Sequence, residues 1–182
     1  MSGLYSTQNN LLLNTLNDFY QKDNNIDKML SIINGQSTIS LRLVDWFVTN
    51  YAKKHFVIYT LRDSRFKVYD DYKLKLRAYS KKRFDPFCRW DRITIPYKDN
   101  SRIQTTIGQL NFFKWALENK IIDYIEEHYE NIEKDMNNRN SSSKKNKQVP
   151  SDSKTRKKRE ELSISATKSI KKEKVEIVVK FD

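Results

Sequence analysis

The sequence has little of several residue types on which enzyme sites depend, with one Cys, three Gly and two His among 182 residues. A single cysteine, Cys88, excludes an intramolecular disulfide and a multi-cysteine metal site. Three dispersed glycines exclude a Gly-rich phosphate loop. Neither His55 nor His128 has a second ligand at metal-binding spacing. We therefore expect no cofactor, metal or catalytic residue, and predict that the protein is not an enzyme.

Long apolar runs are also missing. Residues 11–13 are three consecutive leucines, too few for the apolar segment of a signal peptide. No stretch approaches the roughly 20 apolar residues that a membrane-spanning helix needs. We expect a soluble, intracellular protein without a membrane partner.

Positive charge is abundant and falls in two blocks. The formal net charge is +12, and residues 51–100 and 137–182 each carry 14 basic and 6 acidic side chains. A basic excess of this kind most often binds polyanions, of which nucleic acid is the commonest. The alternative is a general charge bias that serves solubility.

The first block contains a dense cationic segment with interleaved aromatic residues. Its basic side chains are the predicted phosphate contacts: Lys73, Lys75, Arg77, Lys81, Lys82, Arg83, Arg89 and Arg92. Tyr79 and Trp90 are the candidates for stacking on unpaired bases. In the alternative interpretation the aromatic residues belong to the core and the arginines pair with Asp85 and Asp91. We favour that interpretation only for Phe84 and Phe87, which flank Pro86 and resemble the anchors of a turn.

The second block contains the cluster Arg156, Lys157, Lys158 and Arg159. Such clusters serve nuclear import, contact with nucleic acid or attraction to acidic partners, and sequence does not separate these roles. The chain shows no zinc finger, no RNP aromatic pattern and no GxxG loop. We therefore predict binding to DNA or RNA without sequence specificity.

The predicted fold class is α+β, mainly helical, with a small hairpin and sheet packed against amphipathic helices. Periodicity predicts helices over 12–20, 26–33, 40–54 and 106–136, the last with a break near Asn119, and strands in 56–61, 66–69 and 92–97. Residues 70–82 fit either a strand or a helix, and we favour the helix. Pro96 indicates that the strand over 92–97 lies at a sheet edge.

Composition predicts three parts of the chain. Residues 1–136 hold nearly all large apolar side chains and form a single globular domain; residues 137–172 read as a disordered basic linker; residues 173–182 are β-capable. Val175, Ile177, Val179 and Phe181 would share one face of that terminal strand. A strand over 175–181 that adds to a sheet edge is the basis of an alternative function, a structural or adaptor protein that binds other proteins through this strand and the acidic helix. The oligomeric state stays open.

Two strings, VDWFVTNY and YSKKRFDPFC, resemble a family of small uncharacterised proteins of giant nucleocytoplasmic large DNA viruses. The resemblance covers about residues 40–136. It implies a setting in a viral factory in the host cytoplasm or in the virion, with the nucleus also open, and it implies no catalytic residue.

Overall fold

The computed structural model describes the backbone of residues 3–89, 92–98, 101–145 and 171–174, and side chains within 10–89, 92–98 and 101–139. The helices are α1 Gly3–Tyr20, α2 Asn25–Ile33, α3 Leu41–Trp46, a π-helical turn Phe47–Tyr51, α4 Ala52–Lys54, α5 Val68–Phe84, α6 Ile107–Glu118, α7 Ile121–Glu127 and α8 Tyr129–Lys145. The strands are β1 Ile58–Leu61, β2 Ser64–Lys67, β3 Arg92–Pro96, β4 Ser101–Thr106 and β5 Lys171–Lys174. The predicted class, mainly helical α+β, is confirmed.

Two small antiparallel sheets join the helices. β1 and β2 form a hairpin in which Leu61 pairs with Ser64. Its two-residue turn, Arg62 and Asp63, has φ of 47° and 63°, the left-handed conformation that matches the twist of a tight hairpin. The second sheet has the order β3-β4-β5, so β3, which contains Pro96, lies at an edge as predicted.

Helix α6 lies at the centre of the core. Its side chains are buried on nearly every side, including Leu110, Phe112, Phe113 and Trp115. The Thr106 hydroxyl caps it by accepting from the Gln109 N–H at 3.2 Å, as the Thr-x-x-Gln spacing predicts. Because α1, α2, α5 and β4 all pack on it, α6 is buried along most of its length, and Lys114 and Glu118 remain partly exposed.

The buried helix predicted over 40–54 is continuous but contains the π-helical turn. Ser40 caps it by accepting from the Leu43 N–H at 3.2 Å. Phe47 and Val48 begin the wide turn and are fully buried. The predicted break near Asn119 is also confirmed, since Lys120 has a left-handed φ of 54° between α6 and α7.

The turn after α5 matches the prediction for Phe-Asp-Pro-Phe. Phe84 is fully buried and the Asp85 carboxylate accepts from the Phe87 N–H at 2.8 Å. Gly108 packs directly on this turn, because a Cβ there would lie 2.7 Å from the Asp85 carbonyl oxygen. The α5–α6 contact therefore needs a glycine at 108.

Several boundaries differ from the predicted ones. α1 begins at Gly3, ahead of the predicted start of this helix at residue 12. β4 was not predicted, because SRIQTT is short and mostly polar. α8 continues to Lys145, past the predicted domain limit at 136, and β5 begins at Lys171, inside the predicted linker. The rest of the linker and residues 175–182 lie outside the described residues.

Candidate nucleic-acid interface

Helix α5 carries the predicted basic segment. Residues 70–82 fitted either a strand or a helix, and the exposure of their apolar side chains decides between the two. Tyr72, Leu76 and Tyr79 pack against the core, whereas Leu74 is 61% exposed. Leu74 would share a strand face with Tyr72 and Leu76, so its exposure agrees with the helical period of 3.6 and not with a period of two. The favoured helix is confirmed, and it kinks at Ser80, whose φ is 62°.

The side of α5 that points away from the core is here called the outward face. It consists of Asp70, Lys73, Leu74, Arg77 and Ala78, all exposed. Lys73 and Arg77 are four residues apart and therefore neighbours on this helix surface. No described residue forms an ion pair with either of them, so this face presents two adjacent cations to solvent.

The other predicted contacts are distributed around the end of α5. Lys81 lies 3.7 Å from Asp85 across one helical turn, and Lys82 is exposed beside it. Arg83 is half-buried, and Arg89 is exposed after the turn. The structure thus places most of the segment on one helix and its following turn.

Arg92 departs from that group, because it lies on edge strand β3 opposite Thr106. Trp90 and the tail cluster Arg156, Lys157, Lys158 and Arg159 lie outside the described residues.

Lys75 points to a different surface from Lys73. It lines a cleft of about 390 Å³, here called the hairpin cleft, formed by the β1–β2 hairpin, α5 and α6. The remaining lining residues are Leu61, Arg62, Ser64, Phe66, Asp71, Tyr79, Phe84, Asn111, Lys114, Trp115, Glu118 and Asn119. Tyr79, the other predicted stacking residue, is therefore a half-buried wall of this cleft, with its ring 6.0 Å from that of Phe84.

Two internal bonds organise the hairpin cleft. The Trp115 indole N–H donates to Asp71 Oδ2 at 2.6 Å, and Lys114 Nζ lies 2.5 Å from Glu118 Oε1. Both carboxylates thus have partners within the lining. Arg62 and Lys114 could not be identified from the sequence, because only the packing of the hairpin beside α6 brings them into one cleft with Lys75.

Asp45 lies next to the cationic end of α5, in surroundings that disfavour the ionised form of its carboxyl. Burial, and then the negative charge of Asp85, raises the pKa of its carboxyl to about 6, against an opposing effect of Lys81. Burial, and then the charge of Asp45, likewise raises the pKa of Tyr72 to about 12. Part of the positive charge of Lys81 is therefore balanced by carboxylates.

A second polar cluster joins α8 to the helix containing the π-helical turn. Asp135 accepts from the Trp46 indole N–H at 3.2 Å and from Lys54, and His55 lies 3.9 Å away. Partial burial raises the pKa of Asp135, but the hydrogen bonds from Lys54 and Trp46 outweigh it and leave the pKa below its usual value. This is a structural tie between helices.

The described parts of the chain hold few features of other site types. No group of three or more His, Cys, Asp or Glu side chains there could hold a metal ion. None of the described helices is long and apolar enough to cross a membrane. Cys88 is half-buried, and its N–H donates to the Asp85 carbonyl at 3.0 Å.

Comparison with known proteins identifies the class to which this α+β domain belongs. The model of a family of unknown function, DUF7197, matches residues 4–149, and the chain therefore belongs to that family. Uncharacterized protein L507 of Acanthamoeba polyphaga mimivirus is 46% identical over 129 residues, which cover 66% of this chain and 50% of L507. The chain thus matches about half the length of that relative. No solved structure matches. The expected relationship to uncharacterised proteins of giant viruses is confirmed.

Proposed function

We propose that the protein binds nucleic acid without catalysing a reaction and without reading its sequence, in a viral factory or virion. The observation that carries the proposal is the outward face of α5, where Lys73 and Arg77 lie side by side in solvent without a carboxylate partner among the described residues. Lys81 and Lys82 continue the positive charge toward the turn.

The physical basis is the release of counterions from the phosphate backbone. Each phosphate that a Lys or Arg neutralises frees condensed cations, so affinity falls steeply as salt rises. Contacts of this kind fix position and carry no sequence information. The tail cluster Arg156, Lys157, Lys158 and Arg159 adds phosphate contacts of the same type.

A fluorescence titration of the full chain with labelled DNA and RNA at 50 and 200 mM salt tests this proposal. We expect binding at the lower salt that weakens by at least about tenfold at the higher, because several phosphates are neutralised. Replacing the four tail cations by Gln tests their share, with Lys22→Gln/Lys134→Gln as an exposed control. Absence of binding at low salt contradicts the proposal.

A second candidate is a structural or adaptor protein that binds other viral proteins. The observation that favours it is Phe56, which is 82% exposed and has a left-handed φ of 50°. A bulky residue held in that conformation is strained, and such strain is concentrated at functional sites. Phe56 and Ile58 line an apolar groove of about 400 Å³ beside Tyr69.

The adaptor candidate also uses the terminal strand over 175–181 and the exposed acids Glu126, Glu127 and Glu130. β5, which immediately precedes that segment, pairs with β4, with Ser101 opposite Lys174. Crosslinking in infected cells separates the candidates. Phe56→Ser abolishes the main crosslinks of an adaptor, and it leaves those of a nucleic-acid-binding protein unchanged.

A further inference from the structure

We propose that the hairpin cleft binds a single unpaired nucleotide whose base carries an amino group: adenine, cytosine or guanine. The phosphate would lie at Arg62 and Lys75 and the base between the aromatic walls. If the bound nucleotide is part of a DNA or RNA strand, this inference rests on the proposed function and names the ligand of one site. A free nucleotide has the same phosphate and base, and the experiments below distinguish the two sources.

The size and walls of the cleft suit such a ligand. Its volume of about 390 Å³ lies in the range of about 300 to 1,000 Å³ typical of small-molecule sites. Phe66 and Tyr79, both half-buried, supply aromatic surface, and Trp115 lines the cleft with 3% of its surface exposed. Stacking of a base on an aromatic side chain contributes about 1 to 3 kcal/mol, and it is available only to a base that has left a duplex.

Two cations of the lining have no carboxylate partner in the described part of the chain. Arg62 is exposed at the tip of the hairpin, where its left-handed backbone forms the turn. Lys75 approaches from α5. Lys114, by contrast, is neutralised by Glu118. Both cations line the same cleft, and the two acids of the lining, Asp71 and Glu118, already have partners in Trp115 and Lys114.

The polar groups at the floor determine which base fits. Asn111 is 5% exposed, and its Nδ2 donates to the Arg83 carbonyl at 3.0 Å. Among the described residues nothing donates to its Oδ1, and an unsatisfied buried acceptor costs about 1 to 3 kcal/mol. Asp71 likewise offers only acceptor oxygens. A ligand that satisfies this floor brings N–H donors. The amino groups of adenine, cytosine and guanine each offer two hydrogens, whereas thymine offers one ring N–H between two carbonyl acceptors that the oxygens of Asn111 and Asp71 would repel.

The indole N–H resonance of Trp115 reports directly on this site. The full chain has three tryptophans, so Trp46→Phe and Trp90→Phe assign the signals. We expect adenosine monophosphate to shift the Trp115 signal, and thymidine monophosphate to need at least about tenfold more ligand for the same shift, since one lost hydrogen bond to a charged group corresponds to about that factor. No shift with any of the adenine, cytosine or guanine monophosphates overturns the proposal. Equal shifts with the thymine nucleotide overturn its base preference.

Variants and strands complete the test. Arg62→Gln/Lys75→Gln weakens the adenosine monophosphate titration by about tenfold or more, whereas Lys22→Gln/Lys134→Gln, an equal loss of charge outside the cleft, leaves it unchanged. Equal weakening by both pairs overturns the assignment of the phosphate.

Oligo(dA) that shifts Trp115 at lower concentration than the monophosphate identifies a nucleotide within a strand as the ligand. A Trp115 shift with the monophosphate but not with oligo(dA) supports the cleft as a site for a free nucleotide and contradicts binding of a nucleotide within a strand. Binding of oligo(dA) without any Trp115 shift keeps the proposed function and overturns the cleft.

Discussion

At the scale of single residues, two positions are decided by their surroundings and not by their own propensity. Gly108 lies in the first turn of α6, where alanine is ordinarily the better residue, yet its Cα faces backbone atoms of the turn after α5. Asp45 is a carboxylate on a largely buried surface, with Asp85 as a like-charged neighbour. In both cases the neighbouring element determines how the residue contributes to the free energy of unfolding.

Gly108→Ala is expected to lower the free energy of unfolding by about 1 to 3 kcal/mol, because the added Cβ overlaps the Asp85 carbonyl oxygen and the backbone must shift. Urea unfolding measures the change. Gly35→Ala is the comparison: no atom lies within 4 Å of its Cβ position, but φ is +71°, so the cost there is conformational, about 1 kcal/mol. A stabilised Gly108→Ala variant would show that α5 and α6 do not approach as described.

Asp45→Asn is expected to raise the free energy of unfolding at pH 8 by about 1 to 2 kcal/mol. The folded-state pKa of about 6 exceeds the ordinary value of 3.8, so the folded chain holds this proton more tightly. The contribution of Asp45 to stability therefore decreases as pH rises from about 4 to about 6, and the penalty is complete above that window. Urea unfolding of both proteins at pH 5 and pH 8 measures the difference, which should shrink at pH 5. A difference independent of pH contradicts the burial of this carboxyl.

At the scale of secondary-structure elements, the helices were largely predictable and the second sheet was not. The apolar period of residues 110–136 predicted the helix that begins at α6, because this signal is local, and the Thr106 hydroxyl caps its first turn. β4 is short and polar, so its own residues do not indicate a strand. Pairing with β3 and β5 stabilises it, and that pairing is not visible in the local sequence. Residues 70–82 were ambiguous until the exposure of Leu74 showed which period applies.

The candidate site was also predictable only where its features are local in the sequence. The sequence identified Lys73, Lys75, Arg77 and Tyr79 as a basic and aromatic segment, because charge density is visible in one dimension. It did not identify that Lys75 and Tyr79 face the hairpin cleft together with Arg62. That grouping depends on where the hairpin packs, a long-range contact that no local pattern encodes.

Asp135→Ala tests how α8 is held to the helix with the π-helical turn. We expect a loss of about 1 to 2 kcal/mol in urea unfolding, since the Trp46 indole N–H and Lys54 lose their acceptor. Glu130→Ala, on an exposed position of the same helix, is the control and should change stability by less than about 0.5 kcal/mol. Equal effects of the two variants would mean that Asp135 makes no structural tie.

At the scale of the whole molecule, the distribution of charge is the feature from which the function is inferred. The net charge of +12 is concentrated in residues 51–100 and 137–182, and within the first block the outward face of α5 presents two exposed cations one helical turn apart. Membership of a family related to a giant-virus protein is compatible with both candidate functions. Electrostatic binding to nucleic acid predicts how affinity depends on salt, because the slope of log affinity against log salt is proportional to the number of phosphates that are neutralised.

The most direct test is therefore the slope of log affinity against log salt for a labelled oligonucleotide. Replacing two phosphate contacts in Lys73→Gln/Arg77→Gln should reduce the magnitude of that slope by about 2 relative to the unmodified chain, since each contact contributes about 0.9. Lys22→Gln/Lys134→Gln, with the same loss of charge elsewhere on the exposed surface, should leave it unchanged. Identical slopes for all three proteins would contradict the assignment of the outward face as a nucleic-acid contact.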